Sequence, residues 1–146
     1  MASVSVFCFR QDDPESFLVS LRTGTPDLLS YWQTAGGKID EAEDPITAAR
    51  RELEEETDVV ADLNYLCFVD RTLGMKYSGQ GGNLLPYHIY VFLYRMDGAD
   101  QPRNMEPDKH GDWMMKSSFE IMALPCVPGL REMVCRFQHT GEPNAI

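Results

Sequence analysis

The pattern of hydrophobic and polar positions predicts short strands interrupted by helices. Near the N-terminus, Val4, Val6 and Cys8 alternate with Ser3 and Ser5, the period of two that is typical of a strand. Apolar and β-branched runs favour further strands over residues 17–22, 28–34, 59–72, 87–96 and 112–116. The glycine-rich stretch 74–86 predicts a mobile loop. Within 59–72, the expected core residues are Val59, Val60, Leu63, Leu66, Phe68 and Val69.

The clearest helix begins at Asp44, a good N-cap, with Pro45 at the first helical position. One apolar stripe follows at spacings of three and four, and the helix is expected to end near 57–58; the stripe consists of Ile46, Ala49 and Leu53. A short helix capped by Ser117 or Ser118 should end near 124–125. A C-terminal helix is predicted over 128–138.

Strands mixed with two or three helices predict an α/β fold, an α/β/α sandwich built on a mixed β-sheet. The 146 residues, 43% of them hydrophobic, suit a single domain over 1–146. Neither a membrane-spanning run nor a signal peptide is recognisable. Cys8, Cys67, Cys126 and Cys135 form no C-x-x-C pair, so we expect free thiols and a cytoplasmic protein.

The chain carries a formal net charge of -10. An acidic surface repels phosphate backbones, which argues against a nucleic acid polymer as partner. A phosphate-bearing small substrate would therefore need a cation between itself and the protein, and a divalent metal ion is the usual solution.

An acidic triplet on the predicted helix is the main candidate for such a metal site. At about 100° per residue, Glu52, Glu55 and Glu56 fall within one sector, which we expect to face solvent, whereas Glu54 points elsewhere. Carboxylate oxygens at this spacing suit Mg²⁺, with Mn²⁺ as a substitute. Arg51 precedes Glu55 by four residues and can hold its carboxylate.

A solvated acidic face is the alternative reading of that triplet. Three further residues at fixed offsets argue against it, namely Gly37, Glu43 and Arg51. Together, residues 37–59 resemble the Nudix box, G-x5-E-x7-R-E-U-x-E-E-x-G-U, in which U is aliphatic. The one departure is Asp58 in place of the late glycine. Asp tolerates a left-handed backbone, so we expect altered loop geometry there and intact chemistry.

The resemblance implies a Nudix-type sandwich and a role for each matching residue. Glu52 and Glu56 would bind the metal with Glu55, and the Gly36 carbonyl would be a further ligand, as in MutT-like members. A carboxylate inside or outside the box would deprotonate the attacking water, which makes Glu52 and Glu55, with Arg51, the candidate catalytic residues. Glu43 would brace the loop through Arg51.

Outside the box, the segment from 104 to 113 resembles a loop of nucleotide-pool members in which a Glu supplements the metal site. Glu106 is therefore the candidate fifth ligand, and an ordinary surface loop residue is the alternative. Trp113 would stack on a base or belong to the core. Gln33 would face the base edge, and Lys38 and Arg22 would meet phosphates; solvent exposure is the alternative for these cations.

The resemblance implies a metal-dependent diphosphohydrolase that cleaves nucleoside or deoxynucleoside triphosphates to the monophosphate and pyrophosphate, with sanitisation of the nucleotide pool as one use. The enzymatic alternative is cleavage of a dinucleotide or nucleotide sugar such as ADP-ribose. A non-catalytic nucleotide-binding module is expected to lack box carboxylates, and all three are present here. Homodimers are common among similar proteins, so a homodimer remains open.

Overall fold

The computed structural model describes residues 2–24, 28–78 and 83–140, without the side chains of 76–78, 83 and 138–140. The strands are β1 (Ala2–Arg10), β2 (Ser16–Leu21), β3 (Trp32–Gln33), β4 (Ala35–Lys38), β5 (Leu66–Ser78), β6 (Asn83–Met96) and β7 (Met114–Ser117). The helices are α1 (Pro45–Thr57), α2 (Ser118–Met122) and α3 (Leu130–Thr140), and a 3₁₀ turn covers Leu63–Tyr65.

Within these residues the strands form a large and a small sheet. The four-stranded sheet has the order β4-β1-β6-β5 and is mixed, because β1 runs parallel to β6 and antiparallel to β4. The small sheet has the order β3-β2-β7. The predicted mixed sheet is therefore confirmed.

Two apolar clusters cover opposite faces of the large sheet. On one face, alternate residues of β1 pack against α1, in a cluster that includes Val4, Val6 and Leu53. On the other face, Phe7 and Phe9 join β2 and α3 in a second cluster. Successive side chains of a strand point to opposite faces, so β1 supplies both cores. This arrangement of helices around the sheet confirms the predicted α/β/α sandwich.

Helix α1 begins as its sequence predicts. The Asp44 side chain accepts a hydrogen bond of 2.9 Å from the Thr47 N–H, and Pro45 opens the helix. Ala49 and Leu53 are buried, whereas Ile46, expected on the same stripe, is 37% exposed. The helix therefore reaches the core from Ala48 onwards, and its acidic residues follow in its last two turns.

Asp58 terminates α1 in the left-handed conformation, with φ of 65°. Its N–H donates a 2.9 Å hydrogen bond to the Glu54 carbonyl. The residue thus adopts the backbone conformation that the box glycine permits, so the altered geometry that we expected is not seen in its dihedral angles.

Three other element predictions need correction. The loop predicted over 74–86 is wrong, since β5 continues to Ser78 and β6 begins at Asn83, with 79–82 outside the described residues. Gly74 lies opposite Tyr87, and a Cβ on it would come within 2.6 Å of that ring. This glycine therefore makes room for a cross-strand aromatic ring instead of marking a loop.

The strand predicted over 59–72 starts and ends too early, and the strand predicted over 28–34 is too long. The first begins only at Leu66, after the 3₁₀ turn, and the second is limited to Trp32–Gln33. Val59 and Leu66 are buried as expected, but Val60, Leu63 and Phe68 are 51–57% exposed. The Asp62 side chain accepts a hydrogen bond from the Asn64 N–H and caps the 3₁₀ turn. This local bond favours a turn where the strand was predicted to begin, so the strand starts later.

The remaining predictions agree closely. Ser117 caps α2 in a reciprocal capping box with Glu120, although α2 ends at Met122, and α3 begins at Leu130 instead of 128. The four cysteines are free, as predicted. None of the described helices is long and apolar enough to cross a membrane.

Candidate active site

Arg51 is the centre of the polar network on α1. Its Nε and Nη2 bind the two carboxylate oxygens of Glu43 at 2.8 and 2.9 Å. Its Nη1 lies 3.0 Å from Glu52 and 3.3 Å from Glu55, and its Nη2 also donates to the Lys38 carbonyl at 3.0 Å. The hydrogen bonds from Arg51 lower the pKa of Glu43 to about 2. One guanidinium therefore braces the loop before α1 and holds two of the box carboxylates.

Glu56 does not face solvent, which corrects our expectation for this residue. Only 7% of it is exposed, because α1 packs its second half against β4. Its Oε1 accepts a 3.0 Å hydrogen bond from the Gly36 N–H. Burial raises the pKa of Glu56 to about 8, and the charges of Glu52 and Glu106 add to this effect while the Gly36 hydrogen bond opposes it. Burial is also the main cause of the raised pKa of Glu52.

Two glycines allow β4 to approach both α1 and β1. A Cβ on Gly36 would lie 2.3 Å from the Val4 carbonyl oxygen, which belongs to the backbone and has no room to move. A Cβ on Gly37 would lie 2.6 Å from the carboxylate of Glu52. Glycine is thus required at this edge by close packing, which brings the backbone of β4 against two carboxylates.

The carboxylates have the chemistry of a magnesium site but not yet its geometry. Among the described residues, no three acidic, histidine or cysteine side chains are grouped as a metal would hold them. Arg51 Nη1 occupies the space between Glu52 and Glu55. Hard oxygen donors at adjacent helical turns nevertheless suit Mg²⁺. The charge of Glu52 adds to the raised pKa of the buried Glu56, and a cation near both carboxylates would offset that repulsion. The donor chemistry therefore fits a divalent cation, and the role of these residues as its ligands stays a prediction.

Glu106 lies in the loop after β6 and is directed towards α1. Its charge contributes to the raised pKa of both Glu52 and Glu56. Its Oε2 binds the Lys109 ammonium at 2.9 Å. The side chain is 29% exposed, so Glu106 is neither fully exposed at the surface nor fully buried beside the α1 carboxylates. Its role as a metal ligand stays a prediction.

Trp113 is placed differently from what base stacking requires. Its indole N–H donates a 2.9 Å hydrogen bond to the main-chain carbonyl of Glu56, and its ring packs against the α1 core. His110, which is 2% exposed, contacts this ring edge-on at 5.0 Å between centroids. This geometry favours the alternative that Trp113 is a core residue.

A pocket of about 260 Å³ opens on the opposite side of β4. Its described lining includes Arg22 and Gln33, along with Gly36 and Gly37, but neither Lys38 nor Trp113. Arg22 donates to the side-chain oxygen of Gln33 at 2.9 Å, and the side-chain nitrogen of Gln33 donates to Ser20 Oγ at 3.3 Å. Two of the four predicted substrate contacts therefore share a pocket that adjoins the carboxylates through the glycine pair.

Our sequence reasoning missed several polar residues of this pocket. The hydroxyl groups of Ser5 and Thr34 are hydrogen bonded at 2.9 Å in its wall, and Ser3 and Tyr87 also line it. The alternation in β1 carries a usable signal, because Ser3 and Ser5 lie on the same face as the buried Phe7. Polar residues on an otherwise apolar inward face indicate a cavity.

Comparison with known proteins assigns the chain to a family. Residues 1–137 match the NUDIX domain, so the chain belongs to the Nudix family. The predicted family is confirmed with it, and the hydrolase activity stays a prediction.

Individual relatives are distant. The CMP-5'-(N-acetyl-N-hydroxy-3-aminopropyl)phosphonate hydrolase of Streptomyces rubellomurinus is 34% identical over 91 residues, which are 62% of this chain and 39% of that protein. The chain thus spans well under half of that relative's length.

Two solved structures support the fold. The MutT Nudix hydrolase of Burkholderia pseudomallei has a TM-score of 0.70 at 21% identity, covering 91% of this chain and 94% of that one. The Nudix domain of Shewanella oneidensis NrtR, solved with ADP ribose, has a TM-score of 0.73 at 17% identity, covering 96% and 87%. At these identities the likeness concerns the fold alone.

Proposed function

We propose that this protein cleaves nucleoside or deoxynucleoside triphosphates to the monophosphate and pyrophosphate, with Mg²⁺ as its cofactor. The observation that supports this best is the position of Gly36 and Gly37. They line the pocket on one side and contact Glu56 and Glu52 on the other. A nucleoside bound in the pocket would extend its phosphates past this edge towards the carboxylates.

The box residues divide the work of the reaction. Glu52, Glu55 and Glu56, with Glu106 and the Gly36 carbonyl, would hold a divalent cation, which when bound would supply positive charge to the phosphate oxygens and lower the pKa of water. Arg51 keeps Glu52 and Glu55 in place through its Nη1. One of these two carboxylates takes a proton from the attacking water, whose oxygen forms a bond to phosphorus as the bond to the leaving pyrophosphate breaks.

On the pocket side, Arg22 and Gln33 orient the substrate. The amide of Gln33 has a fixed direction, because its oxygen accepts from Arg22 and its nitrogen donates to Ser20. A fixed amide presents one pattern of donor and acceptor to a base edge. Lys38 is exposed at the end of β4, and its main-chain carbonyl accepts from Arg51. Its ammonium would meet a phosphate from outside the pocket.

A second candidate is a nucleoside monophosphate joined to a group other than diphosphate, such as ADP-ribose or a CMP-linked phosphonate. The identity of 34% to a hydrolase named for a CMP-linked substrate supports it. A binding module without activity is disfavoured, since all three box carboxylates are present, Glu52 and Glu55 on Arg51 and Glu56 on Gly36.

Incubating the protein with Mg²⁺ and a panel of these nucleotides, with products identified by mass spectrometry, separates the candidates. Pyrophosphate and a monophosphate from triphosphates are the expected products, and EDTA should abolish them. Turnover confined to ADP-ribose or CMP-linked substrates would replace the first proposal with the second. No turnover, with retained nucleotide binding, would contradict both.

A further inference from the structure

We infer that Trp113 is a positioning residue, which sets the end of α1 and the loop bearing Glu106 relative to each other. This inference rests on the proposed function, because it concerns the placement of carboxylates for the metal. We call residues 103–111 the docking loop. The indole of Trp113 bonds Glu56 through its main-chain carbonyl and not its carboxylate, so its role is indirect.

The last turn of α1 depends on the docking loop for its hydrogen bonds. A helix leaves its final carbonyl groups without partners inside the helix. Here the Thr57 carbonyl accepts from the Arg103 N–H at 2.8 Å. The Glu56 carbonyl accepts from the Met105 N–H at 3.4 Å and from the Trp113 indole at 2.9 Å. The indole bond is the shorter of the two at Glu56, the residue whose carboxylate lies on Gly36.

Inside the docking loop, one side chain fixes the backbone around Glu106. The Asn104 amide nitrogen donates to the His110 carbonyl at 2.9 Å, and its oxygen accepts from the Glu106 N–H at 3.1 Å. The Glu106 carbonyl then accepts from the Lys109 N–H at 2.9 Å. The backbone around Glu106 is therefore held by a closed set of hydrogen bonds within the loop.

The indole is held where it can act as a fixed donor. Its ring packs on the α1 core and contacts the buried His110 ring edge-on. His110 Nδ1 lies 2.8 Å from the Gly111 carbonyl, which fixes the imidazole behind the indole. A rigid ring that directs its N–H at the Glu56 carbonyl holds Glu56 and the docking loop together.

The departure from the box at Asp58 adds a weaker second tether. Its carboxylate lies 3.3 Å from the Arg103 guanidinium, and both side chains are exposed at 44% and 70%. Exposed pairs contribute little. We therefore expect the indole bond, together with the main-chain bond from Arg103 to Thr57, to determine the spacing between α1 and the docking loop, and the ion pair to modify it slightly.

The test is Trp113→Phe, which removes the N–H and keeps an aromatic ring. Mn²⁺ binding without nucleotide, followed by electron paramagnetic resonance, should weaken by about tenfold, the usual scale for losing a partner that orients a metal ligand. kcat with Mg²⁺ should fall by a similar factor, and KM for the nucleotide should stay within about twofold. Asn104→Ala should change Mn²⁺ binding in the same direction.

Trp32→Phe is the matched control, since Trp32 packs in the α3 cluster, away from the docking loop. It should leave Mn²⁺ binding unchanged. Native Mn²⁺ affinity in a folded Trp113→Phe protein, or a rise in KM alone as base stacking predicts, would overturn the inference while the proposed function stands. If Trp113→Phe does not fold, Asn104→Ala decides. Absence of both Mn²⁺ binding and turnover in the native protein would overturn both.

Discussion

The two sides of the β4 edge are built by different rules. On the α1 side, Arg51 contacts four carboxylates that lie close together in the sequence, those of Asp40, Glu43, Glu52 and Glu55. On the pocket side, the lining comes from distant segments, including Ser5 of β1, Tyr87 of β6 and Met133 of α3. The first side is dense and charged, whereas the second is a mixed cavity that contains few charges.

The difference explains why the residues for the chemical step are easier to predict from the sequence than the residues that select the substrate. Residues at fixed spacing on one helix must share a face, so their chemistry is local. A pocket assembled by tertiary packing can change one wall without changing the others. We therefore expect substitutions on the α1 side to abolish turnover, and those on the pocket side to change which nucleotide is preferred.

The largest effect is expected from Glu56→Gln. The amide can still accept the Gly36 N–H, so the fold should persist, but the negative charge offered to a cation is lost. kcat should fall at least about 100-fold, the upper range for disturbing a metal shell. Steady-state turnover with Mg²⁺, alongside circular dichroism of the folded state, measures both.

Glu54→Gln is the matched control for that variant. Glu54 is on the same helix, two residues earlier, and is exposed. Its activity should equal that of the native protein. Near-native turnover by Glu56→Gln, or an equal loss of turnover in both variants, would contradict the assignment of Glu56, but not Glu54, to the metal site.

A smaller effect is expected from Gly37→Ala. The new methyl group would meet the Glu52 carboxylate at 2.6 Å, and that side-chain end can move where a backbone atom could not. We expect kcat to fall about tenfold with little change in thermal stability, because the carboxylate leaves Arg51 and the metal position. Gly98→Ala is the control, since nothing lies within 4 Å of a Cβ there. Equal behaviour of the two would contradict the close packing of β4.

The smallest effect is expected from Gln33→Ala on the pocket side. One or two hydrogen bonds to the substrate would be lost, which corresponds to a rise in KM of about 3- to 10-fold. kcat should hardly change, because the carboxylates are untouched. Gln101→Ala, an exposed amide bonded only locally to the Gly98 carbonyl, should leave KM as it is. A fall in kcat without a change in KM would contradict this, because it would mean that Gln33 acts in the chemical step and not in substrate binding.

The elements that were predictable from the sequence are those with local causes. The cap at Asp44, the α1 stripe and the contact of Arg51 with Glu55 all depend on residues within about four positions. These follow from helix geometry, whereas the brace between Glu43 and Arg51 was implied by the resemblance to the box.

The main errors arose where a residue distant in the sequence determines the local structure or the burial of a side chain. Gly74 resembles a loop residue until Tyr87 is placed across from it, and Glu56 seems to face solvent until β4 is packed against α1. Trp113 was open between base stacking and the core, because the carbonyl that it contacts lies 57 positions away. Tertiary contacts of this kind leave no local pattern in the chain.

The central claim is that the acidic face of α1 holds a divalent cation beside the glycine edge of β4. A crystal of the protein soaked in Mn²⁺, with the anomalous signal of manganese recorded, tests it most directly. We predict an anomalous peak about 2 Å from carboxylate oxygens of both Glu52 and Glu56. No anomalous peak at this position after a soak at saturating Mn²⁺, or a peak only elsewhere on the protein, would contradict the account.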